Sequence, residues 1–90
     1  MTRILLKGTE AALPTTAGAG TSFSEATVVR LVNTATGADH LVTIQETAGG
    51  TAVGTFTIMR SSTETVEKVA THTMFAADAA VLGTKVGFTN

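Results

Sequence analysis

Two histidines, His40 and His72, are the side chains of this 90-residue chain best suited to metal binding or proton transfer. A zinc site needs three or four ligands that converge, and histidine ligands usually stand at close, regular spacings. These two histidines lie 32 positions apart, and no cysteine is present to complete a ligand set. We therefore expect no metal site and no bound cofactor.

A serine triad is the second chemistry to consider, because Asp39 directly precedes His40. Neighbouring residues of a strand point to opposite faces, so Asp39 cannot orient the His40 ring from that position. No serine lies in the GxSxG pattern of a nucleophile elbow. Glu64 and Glu67 also fall on opposite faces of a strand, which separates their carboxylates. The sequence predicts no catalytic residues and a non-enzymatic protein.

Charge is sparse in this chain. Only 14% of the residues are charged, the formal net charge is −1, and Trp and Tyr are absent. Nucleic-acid surfaces collect basic residues and stacking aromatics, so we expect no nucleic-acid partner. The N-terminal apolar run, Ile4–Leu6, is far shorter than the ~20 residues of a membrane span and too short for a signal-peptide core. We expect a chain that is made in the cytoplasm and has no membrane partner.

The first 22 residues lack strand periodicity. Pro14, Gly18 and Gly20, among many small residues, favour an extended N-terminal arm over residues 1–22. Arg3–Lys7 can form a short strand, so the arm either reaches a neighbouring molecule or completes the sheet of its own domain. The large apolar side chains of the arm are the predicted interface residues: Ile4, Leu5, Leu6 and Leu13.

Residues 23–90 form a second region, in which apolar and polar residues alternate as in β-strands. Predicted strands cover 26–32, 39–46, 53–60, 64–70 and 83–89. The first two are separated by a turn-forming cluster and are predicted to form an antiparallel hairpin. In the last strand, Val86 and Phe88 are predicted to point inward. The Ala-rich stretch 73–81 fits either a helical turn or an irregular loop.

The expected fold class is all-β, a small antiparallel β-sandwich or partly open barrel of five to seven short strands with an N-terminal arm. The 19 threonines support it, because a β-branched side chain suits a pleated surface. A domain of this size buries only a little over ~60% of its unfolded surface and leaves sheet edges to cover. We therefore expect a homo-oligomer, or docking on a larger body.

Four stretches of the chain carry a family resemblance. They are ATVVRLVNT at 26–34, HLVTI at 40–44, TVEKVATHTMFA at 65–76 and AVLGTKVGFT at 80–89. Over residues 24–90 the chain resembles small β-sandwich virion proteins of tailed bacteriophages, especially those of marine and cyanobacterial podoviruses. The resemblance implies that the chain is made in the host cytoplasm and resides in the virion, and it carries over no catalytic residues.

In function, the resemblance implies a capsid decoration, or cement, protein that stabilises the shell by bridging capsid subunits. Its partner would be the major capsid protein or another virion protein, and many weak contacts would act together. The alternative is a minor head or tail protein, or a surface-spike protein with a receptor- or glycan-binding role. Sugar-binding faces usually stack Trp or Tyr on the sugar, and this chain contains neither.

Overall fold

The computed structural model describes residues 5–87 as two antiparallel β-sheets packed face to face, and the sheets do not close into a barrel. The predicted all-β sandwich is confirmed. The strands are, in chain order, β1 (Leu5–Leu6), β2 (Ala11–Ala12), β3 (Val28–Asn33), β4 (His40–Gln45), β5 (Ala52–Ile58), β6 (Thr63–Glu67), β7 (Thr73–Ala76) and β8 (Val81–Gly87). One short 3-10 helix, Ala17–Ala19, is the only helical element of these residues.

The larger sheet has five strands. β3 lies between β6 and β8, and both β1 and β2 pair with the other side of β8. Leu5 stands opposite Gly87, and Ala11 stands opposite Gly83. Residues 5–12 therefore complete the sheet of their own domain, as an edge strand that is interrupted between β1 and β2.

The smaller sheet has β4 at its centre, with β5 on one side and β7 on the other. The segment 13–21 covers the outer edge of β7. Thr21 forms a bridge with Met74, and the Ala76 amide donates to the Pro14 carbonyl oxygen (3.0 Å). The N-terminal segment thus runs first along β8 and then along β7, and it connects the two sheets on this side.

The predicted hairpin between residues 26–32 and 39–46 is wrong, because β3 and β4 lie in opposite sheets. The residues between them cross from one sheet to the other. Asn33 shapes this connection, since its Oδ1 accepts from the Ala35 amide (3.0 Å) and its Nδ2 donates to the Ala38 carbonyl oxygen (3.2 Å). Turn-forming residues predict a chain reversal, but they do not distinguish a hairpin from a crossing between sheets.

The stretch 73–81 contains strand β7 and a tight turn, contrary to the prediction of a helical turn or an irregular loop. Met74 and Ala76 alternate inward and are fully buried. Asp78 then organises the turn, because its Oδ1 accepts from the Ala80 amide (2.8 Å). Pairing of β7 with β4 outweighs the helix propensity of Ala and Met, which is a weak preference.

Each sheet contributes one face to a common core. The buried apolar cluster consists of Leu13, Ala26, Val29, Leu31, Val42, Ile58, Met74, Ala76 and Val81. Phe56 and Val66 pack against it and are half-buried. The prediction that Val86 points inward is wrong: Thr84 stands opposite the outward-facing Arg30, and Val86, two residues further along β8, lies on that same outer face, where it is nevertheless buried. Phe88, also predicted to point inward, lies outside the described residues.

Candidate interaction surfaces

The four predicted interface residues have different environments. Leu5 and Leu6 on β1 are 45% and 67% exposed, so both present apolar surface at the edge of the larger sheet. Leu13 is only 2% exposed, and its amide donates to the Val81 carbonyl oxygen (2.9 Å). It anchors the N-terminal segment in the core and offers no surface to a partner. Ile4 lies outside the described residues.

The structure does not bring the candidate chemical groups together. Both His40, on β4, and His72, in the turn before β7, are half-buried. The Asp39 carboxylate contacts Arg60 and neither histidine. Its Oδ1 accepts a hydrogen bond from the Arg60 amide (2.9 Å) and lies 3.9 Å from the Arg60 guanidinium. Residues 5–87 contain no detected cavity and no cluster of His, Asp or Glu arranged to hold a metal ion.

The outer face of the smaller sheet is built from uncharged strand residues. Directly opposed residues of neighbouring strands share a face. Leu41 stands opposite Thr57 on β5. Thr43 stands opposite Thr55 on β5 and Phe75 on β7. We call these five residues the uncharged face. Leu41 is 46% exposed, so the face presents open apolar surface on its central strand, β4.

The outer face of the larger sheet carries two charged residues among uncharged ones such as Val28 and Thr84. Arg30 on β3 lies between the buried residues Val29 and Leu31 and therefore points away from the core. Its guanidinium lies 3.6 Å from the Glu10 carboxylate. Glu67, opposite Val28 on the same face, adds a further charge. The two outer faces of the sandwich therefore differ in charge.

Alternation along each strand already places Leu41 with Thr43, and Thr55 with Thr57. The two pairs lie side by side only because β4 pairs with β5, and Phe75 lies beside them because β4 also pairs with β7. The uncharged face could not be predicted from the sequence, because no strand was assigned to 73–81 and residues 39–46 were paired with the wrong neighbour. The signal available was the alternation of Met74 and Ala76 about Phe75.

A left-handed turn precedes β3. Phe23, Ser24 and Glu25 have φ values of 54°, 57° and 57°, a region that costs a non-glycine residue about 1–2 kcal/mol. The Ala26 amide closes the turn by donating to the Ser22 carbonyl oxygen (3.0 Å). No sequence signal marks this turn, because left-handed positions are usually occupied by Gly or Asn.

Lys68 is a buried cation at the end of β6, with 7% of its surface exposed. Its Nζ donates to the carbonyl oxygens of Val69 (3.3 Å) and Ala70 (3.2 Å). Burial lowers the pKa of Lys68 below its ordinary value of 10.5, and this effect outweighs the opposing influence of Glu25. The positive charge of Lys85 lowers the pKa of Lys68 further.

No family model matches the chain, and no curated protein or solved structure matches it. The resemblance to phage β-sandwich virion proteins therefore depends on the four sequence stretches quoted above. None of the helical residues within 5–87 forms a segment long and apolar enough to cross a membrane.

Proposed function

We propose that this chain is a non-enzymatic structural protein of a tailed-phage virion that decorates the capsid and stabilises the shell by adhesion. Its partner is the major capsid protein. The resemblance of residues 24–90 to small virion β-sandwiches supports the assignment. In this role the chain bridges neighbouring capsid subunits, and many copies acting together make weak individual contacts effective.

The difference in charge between the two outer faces carries the proposal. Docking removes water from a surface, which is favourable for apolar side chains and costs less for hydroxyl-bearing side chains than for unpaired charges. The cores of protein interfaces are accordingly depleted of charged residues. We therefore assign the uncharged face, with Leu41 exposed on its central strand, to the shell, and the face with Arg30 and Glu67 to solvent.

The dimensions of the molecule support the same assignment. The principal extents are 35 × 32 × 20 Å, which describe a slab. A slab that lies on a broad face covers more of a neighbouring surface than a sphere of the same volume. A decoration protein that spans a seam between capsid subunits benefits from this shape, because its stabilising effect depends on contact with both subunits.

Particles from a host that produces the chain provide the first test. Heads and tails are separated by gradient centrifugation and probed with an antibody against the chain. We expect the chain in the head fraction, in many copies per particle. Its presence in the tail fraction would favour the alternative of a tail or spike protein, and its absence from both fractions would overturn the proposal.

A matched pair of variants tests the assigned face. Heads depleted of the chain are mixed with purified protein and pelleted. We expect Leu41→Glu to weaken co-sedimentation by roughly tenfold or more, because a charge is then buried without a partner. Val69→Glu makes the same kind of change at an exposed apolar residue outside the uncharged face, so we expect unchanged binding. Equal loss in both variants would contradict the assignment.

A further inference from the structure

We propose that β5 pairs with β5 of a second copy of this chain, antiparallel and about a two-fold axis at Thr55. The pairing joins the two small sheets into one six-stranded sheet, and it extends the uncharged face across both copies. It concerns the chain alone, so it can hold or fail independently of capsid binding.

The direction of the backbone groups on β4 is fixed by one hydrogen bond. The Ala77 amide donates to the Leu41 carbonyl oxygen (2.9 Å), on the β7 side of the sheet. In an antiparallel ladder, backbone groups alternate in direction along the strand. The odd-numbered residues of β4 therefore bond toward β7, and its even-numbered residues bond toward β5.

The same alternation assigns the backbone groups of β5. The partners of the even-numbered β4 residues include Gly54 and Phe56, which therefore bond to β4. The amides and carbonyl oxygens of Thr55 and Thr57, together with the Val53 carbonyl oxygen, point to the other side. Among residues 5–87 no strand pairs with that side, so these five groups form an open edge.

The other strand edges of the described chain are protected. On β6, Glu64 stands opposite the core residue Leu31, which places a charge on the inward face of an edge strand. The edge of β7 is covered by Thr21 and by Pro14. β1 and β2 have only two residues each. By contrast, residues 54–58 contain no charge and no proline, and the β4–β5 register irregularity lies before them.

Two-fold symmetry about Thr55 matches the open donors and acceptors to each other. Thr55 then faces Thr55 of the second copy, and the two exchange both backbone hydrogen bonds. The Thr57 amide donates to the Val53 carbonyl oxygen of the second copy, and the two-fold axis generates an equivalent bond from the second copy to the first. Four backbone hydrogen bonds thus follow from the groups that the monomer leaves open.

The same register places Phe56 opposite Gly54 of the second copy. Gly54 has no atom within 4 Å of the position where a Cβ would stand, so space is open beside it. Phe56 is half-buried, and part of its ring is available to fill that space. An aromatic side chain across from an edge glycine is a favourable cross-strand pair. This fit within one strand favours a second copy over a strand of unrelated sequence.

The size of the contact indicates a weak dimer. Two paired strands of seven residues bury less surface than the ~1,200 Å² that marks the lower end of stable interfaces. We therefore expect association at roughly micromolar or higher concentration. Such a dimer would carry two uncharged faces, which raises its effective affinity for a surface with repeated sites.

Cysteine crosslinking tests the register, since the natural chain contains no cysteine. Opposed residues of a bonded pair have Cα atoms about 5.5 Å apart, within the range for a disulfide. We expect Thr55→Cys to form a disulfide-linked dimer under mild oxidation. Thr57→Cys, on the same strand and face, serves as the control. In the proposed register its two copies lie about 14 Å apart, too far for a disulfide.

Equal crosslinking of both cysteine variants would indicate random collision and overturn the proposal. Crosslinking of Thr57→Cys alone, or of neither variant, would overturn it as well. Sedimentation velocity of the cysteine-free chain gives an independent measurement. We expect its mass to approach that of a dimer as concentration rises, and a chain that stays monomeric up to about 1 mM would contradict the pairing.

A charge at the two-fold axis provides a variant that leaves the monomer intact. Thr55 is exposed, and Thr55→Lys places two lysines directly opposite each other in the dimer. We expect dimerisation to weaken by roughly tenfold or more. Thr65→Lys, at an exposed position on β6, is the matched control and should dimerise like the natural chain. If Thr55→Lys dimerises equally well, the second copy does not bind at β5.

Discussion

The Asn33 Nδ2, on β3, donates a 3.1 Å hydrogen bond to the Ile58 carbonyl oxygen, on β5. Both residues are fully buried, and their strands belong to different sheets. The bond therefore ties the two layers of the sandwich together through a polar group inside the core. Every polar atom of the Asn33 side chain has a partner, which is the condition for burying an amide at low cost.

We expect Asn33→Ala to lower the free energy of unfolding by about 2–4 kcal/mol, because it leaves buried backbone groups without partners. Urea unfolding followed by circular dichroism measures the change. Thr34→Ala is the control. Its Oγ1 also donates to a carbonyl oxygen, that of Ala80 (2.7 Å), but in an exposed position. We expect a loss below about 1 kcal/mol there, and equal losses would show that burial is not the cause.

Gly83 permits the packing of the core beneath β8. A Cβ at this position would stand 2.7 Å from Phe23 Cζ and 2.9 Å from Leu31 Cδ2. We expect Gly83→Ala to destabilise the fold by about 1–3 kcal/mol through overpacking, measured as a lower urea midpoint. Gly54→Ala, also in a strand but with open space around it, should change stability by less than about 0.5 kcal/mol in dilute solution.

The left-handed turn offers a stabilising substitution. Ser24 has φ of 57°, and its side chain makes no hydrogen bond among the described residues. We expect Ser24→Gly to raise the free energy of unfolding by about 0.5–1 kcal/mol, since the relief of strain exceeds the added entropy of the unfolded chain. Ser24→Ala keeps the strain and should give no gain. A gain of equal size in both variants would point to the hydroxyl group instead.

Lys68 predicts a dependence of stability on alkaline pH. Its pKa is lower in the folded state than its ordinary value of 10.5, so the unfolded chain binds more protons in the window between the two values. The contribution of Lys68 to the free energy of unfolding therefore increases as pH rises toward 10.5. Urea titrations at stepped alkaline pH should show this slope in the natural chain and a smaller one in Lys68→Met. An unchanged slope in the variant would assign the effect to other groups.

Local pattern was sufficient to predict the class of fold but not the partners of each strand. The alternation of apolar and polar residues around Val42 and Ile58 follows from the two-residue period of a strand that is buried on one face. The choice between a hairpin and a crossing after β3 depended on Asn33, whose amide bonds to groups up to 25 positions away. The strand in 73–81 was missed because Ala and Met favour helices locally, whereas pairing with β4 decides the outcome.

The candidate surfaces were predicted less completely than the fold. Leu5 and Leu6 were expected to be available to a partner and are exposed, but nothing local distinguishes them from Leu13, which is buried by β8 and the core. The left-handed turn contains no glycine, so the sequence did not predict it. The uncharged face needed the register of three strands, which depends on contacts between distant parts of the chain.

The pairing of Leu5 with Gly87 brings the two ends of the described chain side by side, on the edge of the larger sheet away from β6. A fluorescent or antigenic cargo fused before Leu5 or after Gly87 would emerge from the same corner, and neither attachment point lies on β5. A fusion at either end should therefore leave the β5 edge unobstructed.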